Sequence, residues 1–269
     1  MRRQVTLWAF AVLALTATLA ASDEPVAGQA GTVWAWGENS DGQLGDGMTT
    51  DRGTPVQVKG PGGVGFLAGV VAIEAGYFHT VALRSDGTVW AWGNNYNGQL
   101  GDGTTTDRGT PVQVKGPGGV GFLAGVVAIE AGYFHTVALK SDGTVWAWGN
   151  NYNGQLGDGT TTNRWTPVQV KGPGGASNLT GVVAVDAGYS HTVALKSDGT
   201  VWTWGDNGYG QLGDGTTTSR STPVQVKGSG GAGNLTGVVA IAAGYRHTVA
   251  LLGYTVAAST SSGDVMMKV

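Results

Sequence analysis

The chain has 269 residues, 41% hydrophobic and 12% charged, with 49 glycines, 8 prolines and no cysteine. Glycine and proline recur too often for long helices, and without cysteine there are neither disulfides nor thiol chemistry. A formal net charge of −3 argues against nucleic acid as a partner.

In chain order, Arg2 and Arg3 precede an apolar run from Leu7 to Leu15 and then small residues up to Ser22. Residues 1–21 therefore read as a secretory signal peptide, and a secreted, periplasmic or extracellular location is expected. The run is shorter than the roughly 20 residues a spanning helix needs, so no membrane insertion is expected once the signal is removed. Its removal takes away two positive charges and changes −3 to −5. Residues 22–30 form a short linker.

From Gly31 the chain repeats itself. The stretch "GTVWAWG" or a close variant begins at residues 31, 87, 143 and 199, always 56 residues apart. The array opens in mid-unit with Thr32–Trp36 and Pro55–Val58. A full unit then reads as four strands: Val70–Ile73, His79–Leu83, Thr88–Trp92 and Pro111–Val114. Asp86-Gly87 between the second and third predicts a tight hairpin with a type I′ turn. The array ends in mid-unit, with Val238–Ile241 and His247–Leu251, before a C-terminal tail over 255–269.

In "TVWAW", Val89 and Ala91 point one way and Thr88, Trp90 and Trp92 the other, so neither face is polar. Such a strand needs cover on both sides, which sheets stacked around an axis supply. Burying one Trp side chain of about 150–250 Å² at about 25 cal/mol/Å² gives roughly 4–6 kcal/mol before entropy. The eight repeat tryptophans, at 34, 36, 90, 92, 146, 148, 202 and 204, are the expected core. The fold class is all-β: a β-propeller of about four four-stranded blades, either an incomplete ring or one completed in an oligomer. The two end halves would make one blade together, within one chain or across a head-to-tail homodimer.

"HTVAL", "DGTVWAWG" and "GQLGDG" resemble the repeat of the regulator of chromosome condensation family over residues 31–254. The last copy, Ile241–Leu251, fits that signature best; Glu74, Glu130 and Asp186 stand where a small residue is usual. The resemblance implies a β-propeller, usually of seven blades, with repeat-mediated binding surfaces rather than one fixed activity.

Candidate chemistry is sparse. His79, His135, His191 and His247 occupy one repeat position with no second ligand at i+3 or i+4, so they read as strand-start histidines bonding neighbouring backbone, not as a metal site. "GPGGVG" at Gly60–Gly65 and Gly116–Gly121 has no helix after it and reads as a loop, not a nucleotide site. Asp46, Asp102, Asp158 and Asp214 read as turn formers rather than calcium ligands. No catalytic motif is present, so no catalytic residue, metal or cofactor is assigned and the chain is expected not to be an enzyme.

Copies differ mainly in loops. Phe78, Phe134, Ser190 and Arg246 share one position; Tyr96 and Tyr152 lie beside Asn97 and Asn153, where the fourth copy has Tyr209; Trp165 replaces Gly109. Phe78, Phe134, Tyr96, Tyr152, Trp165, Tyr209 and Arg246 are the candidate partner-binding residues. Drift after recent duplication would leave the same pattern. The expected function is a secreted, non-enzymatic scaffold binding a protein or cell-surface component. The alternatives are a secreted inhibitor similar to the propeller-type beta-lactamase inhibitory protein, and a nucleotide-exchange factor, which the signal peptide and acidic charge oppose.

Overall fold

The computed structural model describes residues 31–253. The signal-peptide, linker and C-terminal-tail readings, with residue 254 of the array, lie outside them. The order is β1 (Trp34–Gly37), β2 (Arg52–Gln57), β3 (Val70–Ala75), β4 (His79–Arg84), β5 (Val89–Gly93) and β6 (Arg108–Gln113). There follow β7 (Val126–Ala131), β8 (His135–Lys140), β9 (Val145–Gly149), β10 (Arg164–Gln169), β11 (Val182–Ala187), β12 (His191–Lys196), β13 (Val201–Gly205), β14 (Arg220–Gln225), β15 (Val238–Ala243) and β16 (Thr248–Leu252).

Three complete antiparallel meanders result, β3–β6, β7–β10 and β11–β14, with two-stranded sheets β1–β2 and β15–β16 at the ends. These are propeller blades, and β3, β7, β11 and β15 are the innermost strands, adjacent to one another around the axis. No ladder joins β1 to β16, so among the described residues the ring is not closed by hydrogen bonds.

The fourth strand starts at Arg108, three residues before the expected Pro111, because Gly93 pairs with Arg108 across a register shift. The β4–β5 turn also differs. Gly87 has φ 75°, but no other residue type has positive φ among the described residues. Gly87 N–H donates to Arg84 O and Arg84 N–H to Thr88 O, both at 2.9 Å. That is a three-residue type I loop with a left-handed glycine, and Asp86 is held in right-handed space as its carboxylate accepts from Thr88 N at 3.0 Å and Thr88 Oγ1 at 2.6 Å.

Both faces of the Trp strands are covered, as the pattern requires. Val89 and Ala91 join Leu100, Val114 and Leu123 in a cluster that receives Trp148 from the next blade; Trp204 enters the equivalent cluster one blade on. The eight tryptophans do not bury equally. Trp92, Trp148 and Trp204 are fully buried, Trp90, Trp146 and Trp202 half-buried, and Trp34 and Trp36 exposed. The last two sit on β1, against which no inner strand is paired.

A repeated polar latch ties each blade to the next. The carbonyl of Gln99, in the loop after β5, accepts from Thr136 Oγ1 and from Trp148 Nε1, both at 2.9 Å and both in the following blade. Gln43 does the same with Thr80 and Trp92, and Gln155 with Thr192 and Trp204. The Thr136 hydroxyl, its proton committed to Gln99, also lies 3.0 Å from His79 Nε2 and so accepts from it. His79 is thus an Nε2–H tautomer, and His135 and His191 reach Thr192 and Thr248 likewise. The histidines therefore bond a hydroxyl one blade away, not the neighbouring backbone expected from sequence. Each latch histidine's Nδ1 is buried without a partner.

Burial pulls the His79, His135 and His191 imidazoles down to about 4, 3 and 4. The unfolded chain, with histidines near 6.5, binds more protons between these limits. The histidines' contribution to stability is complete above pH ~6.5 and is lost as pH drops through it, by roughly 1.4 kcal/mol per pH unit for each, levelling off below the folded values. Urea unfolding across pH 4–8 should show that slope in the difference between the wild type and His135→Gln, which cancels the opposite pH dependence of the buried carboxyls. Thr136→Val, which strips both hydroxyl bonds from a buried site, should lose about 1–3 kcal/mol, while Thr136→Ser should recover most of it in the same assay.

Candidate functional site

The turn from each innermost strand to the next is "A-G-Y", and its glycine is required by packing. A Cβ on Gly132 would collide with the His135 imidazole and stand 2.7 Å from Gly188 O. The following tyrosines are brought into a row: Tyr77–Tyr133, Tyr133–Tyr189 and Tyr189–Tyr245 have ring centroids 4.3, 4.2 and 4.2 Å apart, tilted 40–42°. Phe78 and Phe134 stack behind them at 5.8 Å, and Phe134 meets Tyr133 edge-on at 4.3 Å. Desolvation, with hydrogen bonding toward Tyr245 and the neighbouring Tyr245 and Tyr133 hydroxyls, pushes the Tyr189 hydroxyl up to about 12, so it stays a neutral donor.

The Gly-rich loop after each Trp strand is built around one buried Asn. Asn95 Oδ1 accepts from Leu100 N at 3.0 Å, while Nδ2 faces Asp102, Thr104 O and Thr106 O at 3.1 Å. Asp102 accepts from Thr104 N at 2.9 Å, as a turn former should. Its second oxygen accepts from both Arg108 Nε at 2.9 Å and Nη2 at 2.7 Å, a charge-assisted pair. The same pair recurs in every copy, Asp46–Arg52, Asp158–Arg164 and Asp214–Arg220. Each of these carboxylates is thus already paired with a positive charge.

Neighbouring loops are pinned to each other. Asn94 Nδ2 donates to Asp41 Oδ1 at 2.7 Å, and Asn150 Nδ2 to Asn97 Oδ1 at 3.0 Å. Over this framework Phe78, Phe134, Tyr96, Tyr152, Tyr133 and Tyr189 line a groove of about 540 Å³ with Asn94, Asn97 and Asn150 in its wall. Four of the candidate residues, Phe78, Phe134, Tyr96 and Tyr152, therefore converge. Tyr96 and Tyr152 are well exposed, whereas Phe78 and Phe134 are half-buried walls rather than loop tips. Tyr209 and Arg246 form a separate pair, Arg246 Cζ lying 4.4 Å from the Tyr209 centroid and 5.0 Å from Tyr245. Trp165 does not line the groove; it covers Gly98, where a Cβ would lie 2.8 Å from the Trp165 Cα. The tyrosine row was not a sequence candidate, because identical positions were passed over in favour of variable ones.

The second concentration of chemistry is axial. Glu74, Glu130 and Asp186 share one position on the innermost strands and line a cavity of about 820 Å³ with Val127, Val183 and Val239. Asp186 accepts from Ala187 N at 2.7 Å and Ala243 N at 2.8 Å. Burial, then the charges of Asp186 and Glu74, pushes Glu130 up to about 9, so at neutral pH it is a protonated donor to Asp186. Among the described residues no group of three or more His, Cys, Asp or Glu is placed to hold a metal ion. Glu130→Gln should raise thermal stability at pH 7–8 by roughly 1–3 kcal/mol and change little near pH 4, where the wild-type carboxyl is already protonated in both states; calorimetry at both pH values checks this.

A family model described as an RCC1-like domain matches residues 17–266. Among curated proteins, the chain is 33% identical to the ultraviolet-B receptor UVR8 of Arabidopsis thaliana over 82% of its own length and 47% of that protein's. It is 35% identical to the Homo sapiens E3 ubiquitin-protein ligase HERC2, over 82% of this chain and 4% of the ligase. Among solved structures, human WBSCR16 superposes with a TM-score of 0.67 and 26% identity, covering 83% of this chain and 54% of that one. Prp20p of Saccharomyces cerevisiae, described with its binding to Gsp1p and histones, gives 0.63 and 23%, covering 82% and 51%. The chain thus spans about half the length of UVR8 and a small fraction of HERC2.

Proposed function

The chain belongs to the RCC1-like domain family, and from that premise we propose that it is a non-enzymatic repeat scaffold, exported by way of residues 1–21, that binds a protein partner through the aromatic groove of its loop face. The observation that carries this reading is the tyrosine row with Tyr96 and Tyr152 standing over it, set on loops that are hydrogen-bonded to one another. Tyrosine offers large contact area with few rotors to immobilise and a hydroxyl to orient the partner. Because the asparagine framework is already bonded, little ordering is left for binding to impose.

The absence of an assigned catalytic residue is supported by where the titratable groups are spent. Three histidines are buried with Nε2 bonded to threonine, and the Asp46, Asp102, Asp158 and Asp214 carboxylates are bonded to arginine. HERC2 matches over 4% of its length, so its ligase name brings no activity to this chain.

The double variant Tyr96→Ala/Tyr152→Ala tests the groove. Both rings are exposed, so the unfolding midpoint should stay unchanged. A protein captured by cross-linking to the wild type from medium or envelope fractions should bind the variant at least about tenfold more weakly, as loss of interface aromatics does. Equal binding by a variant of unchanged stability would sink the groove reading.

A further inference from the structure

The two end half-blades carry unmatched halves of the same joint. In β1, Trp36 is 62% exposed, whereas its repeat equivalent Trp92 is 0% exposed. In β16, Val249 and Leu251 are 55% and 62% exposed, whereas their equivalents Val81 and Leu83 are 0% and 4%. Trp92 lies against Val58, Leu67 and Ala82 in one cluster and donates to Gln43 O. The equivalents of those neighbours, Val226, Leu235, Ala250 and Gln211, line a pocket of about 410 Å³ beside β16. Within it the Gln211 carbonyl receives Thr248 Oγ1 at 2.8 Å, the first half of a latch whose second half, in every complete blade, is a Trp Nε1. At the other end Thr80 donates to Gln43 O in a pocket of about 390 Å³ that also contains Trp34, Trp36 and His79. His247, one repeat position beyond the three latch histidines, is exposed.

We propose that a second copy of this chain completes the joint: β1 of one copy adds to β16 of the other, Trp36 enters the pocket at Gln211, and His247 reaches Thr80 of the partner copy. The register follows from the complete blades, where Thr80, Val81, Ala82 and Leu83 face Trp92, Ala91, Trp90 and Val89. It sets Thr248, Val249, Ala250 and Leu251 opposite Trp36, Ala35, Trp34 and Val33. The joint is head-to-tail, so two copies close a ring by making it twice. Two arguments favour a second copy over closure within one chain. The half-blades of a single chain are not paired to each other. The arc also superposes on 54% of WBSCR16, so two arcs have the extent of about one such chain and give eight blades, within the four to eight that propellers adopt.

The cysteine-free background provides the test. In the full chain, Ala35→Cys with Val249→Cys places two thiols opposite each other in the joint, at positions where Ala91 and Val81 pair in a complete blade. Mild oxidation should give a covalent dimer on non-reducing gels, and light scattering of the wild type should give a dimer mass. Trp36→Ala, at a site exposed in the single chain, should raise the dimer dissociation constant about 30-fold without lowering the far-ultraviolet strand signal. Val249→Arg should do the same from the other side. A monomer with an internal disulfide would show that the chain closes on itself; a monomer without one, as when residues 254–269 occupy the pocket, or an open-ended ladder of oligomers would equally overturn the proposal.

Discussion

A single backbone oxygen organises each blade-to-blade contact. The Gln99 carbonyl receives a threonine hydroxyl and an indole N–H from the next blade, and that threonine in turn receives an imidazole N–H from the blade before it. Side-chain donors buried between apolar sheets would be destabilising if left alone. Here they are directed at one acceptor, and the apolar burial of Trp148 becomes directional. Hydrophobic contact alone would let two sheets slide; the indole can reach its acceptor in one register only. Because Gln99 lies in the Gly-rich loop, that loop is at once the hinge between blades and the support of the groove.

The loop face inherits its order from this arrangement. Once the latches fix the angle between blades, the tyrosines after β3, β7, β11 and β15 are carried to centroid spacings of 4.2–4.3 Å. Nothing in a single unit could produce the row, since each ring belongs to a different blade. The same rotation brings Glu130 and Asp186 together on the axis, where burial keeps Glu130 protonated. One geometry therefore yields an aromatic exterior and a proton-sharing interior from two positions of the same repeat.

Most of the blade was legible because it is local. Strand alternation, the 56-residue period and the Asp-Gly turn located β3, β4 and β5 within a few residues. What the sequence concealed was relational. The turn type depends on Asp86 accepting from Thr88, which holds Asp86 out of positive φ. The unequal burial of Trp36 and Trp92 depends on which strands lie beside them, although both read identically within "TVWAW". The histidines looked like backbone caps since their true partner lies 57 residues away. Likewise the acid–arginine pairs were missed because Asp102 and Arg108 are joined by the loop's own curvature. In the groove, comparing copies exposed the variable Phe78 and Tyr96 but hid the invariant tyrosines.

Gly101 shows how far this construction extends. With φ at +67° and no side chain, it leaves room for Trp148 Nε1, which a Cβ would approach to 2.8 Å. Gly45 and Gly157 do the same for Trp92 and Trp204. The recognition between blades is thus written in a main-chain carbonyl and a missing methyl group, neither of which distinguishes one copy from another. Every blade presents the same socket and the same plug. Whole repeats can then be gained or lost in steps of 56 residues by unequal recombination with each surviving joint intact, while the loop positions remain free to diverge. In such a chain the number of blades and the chemistry of the loop surface can vary independently of each other.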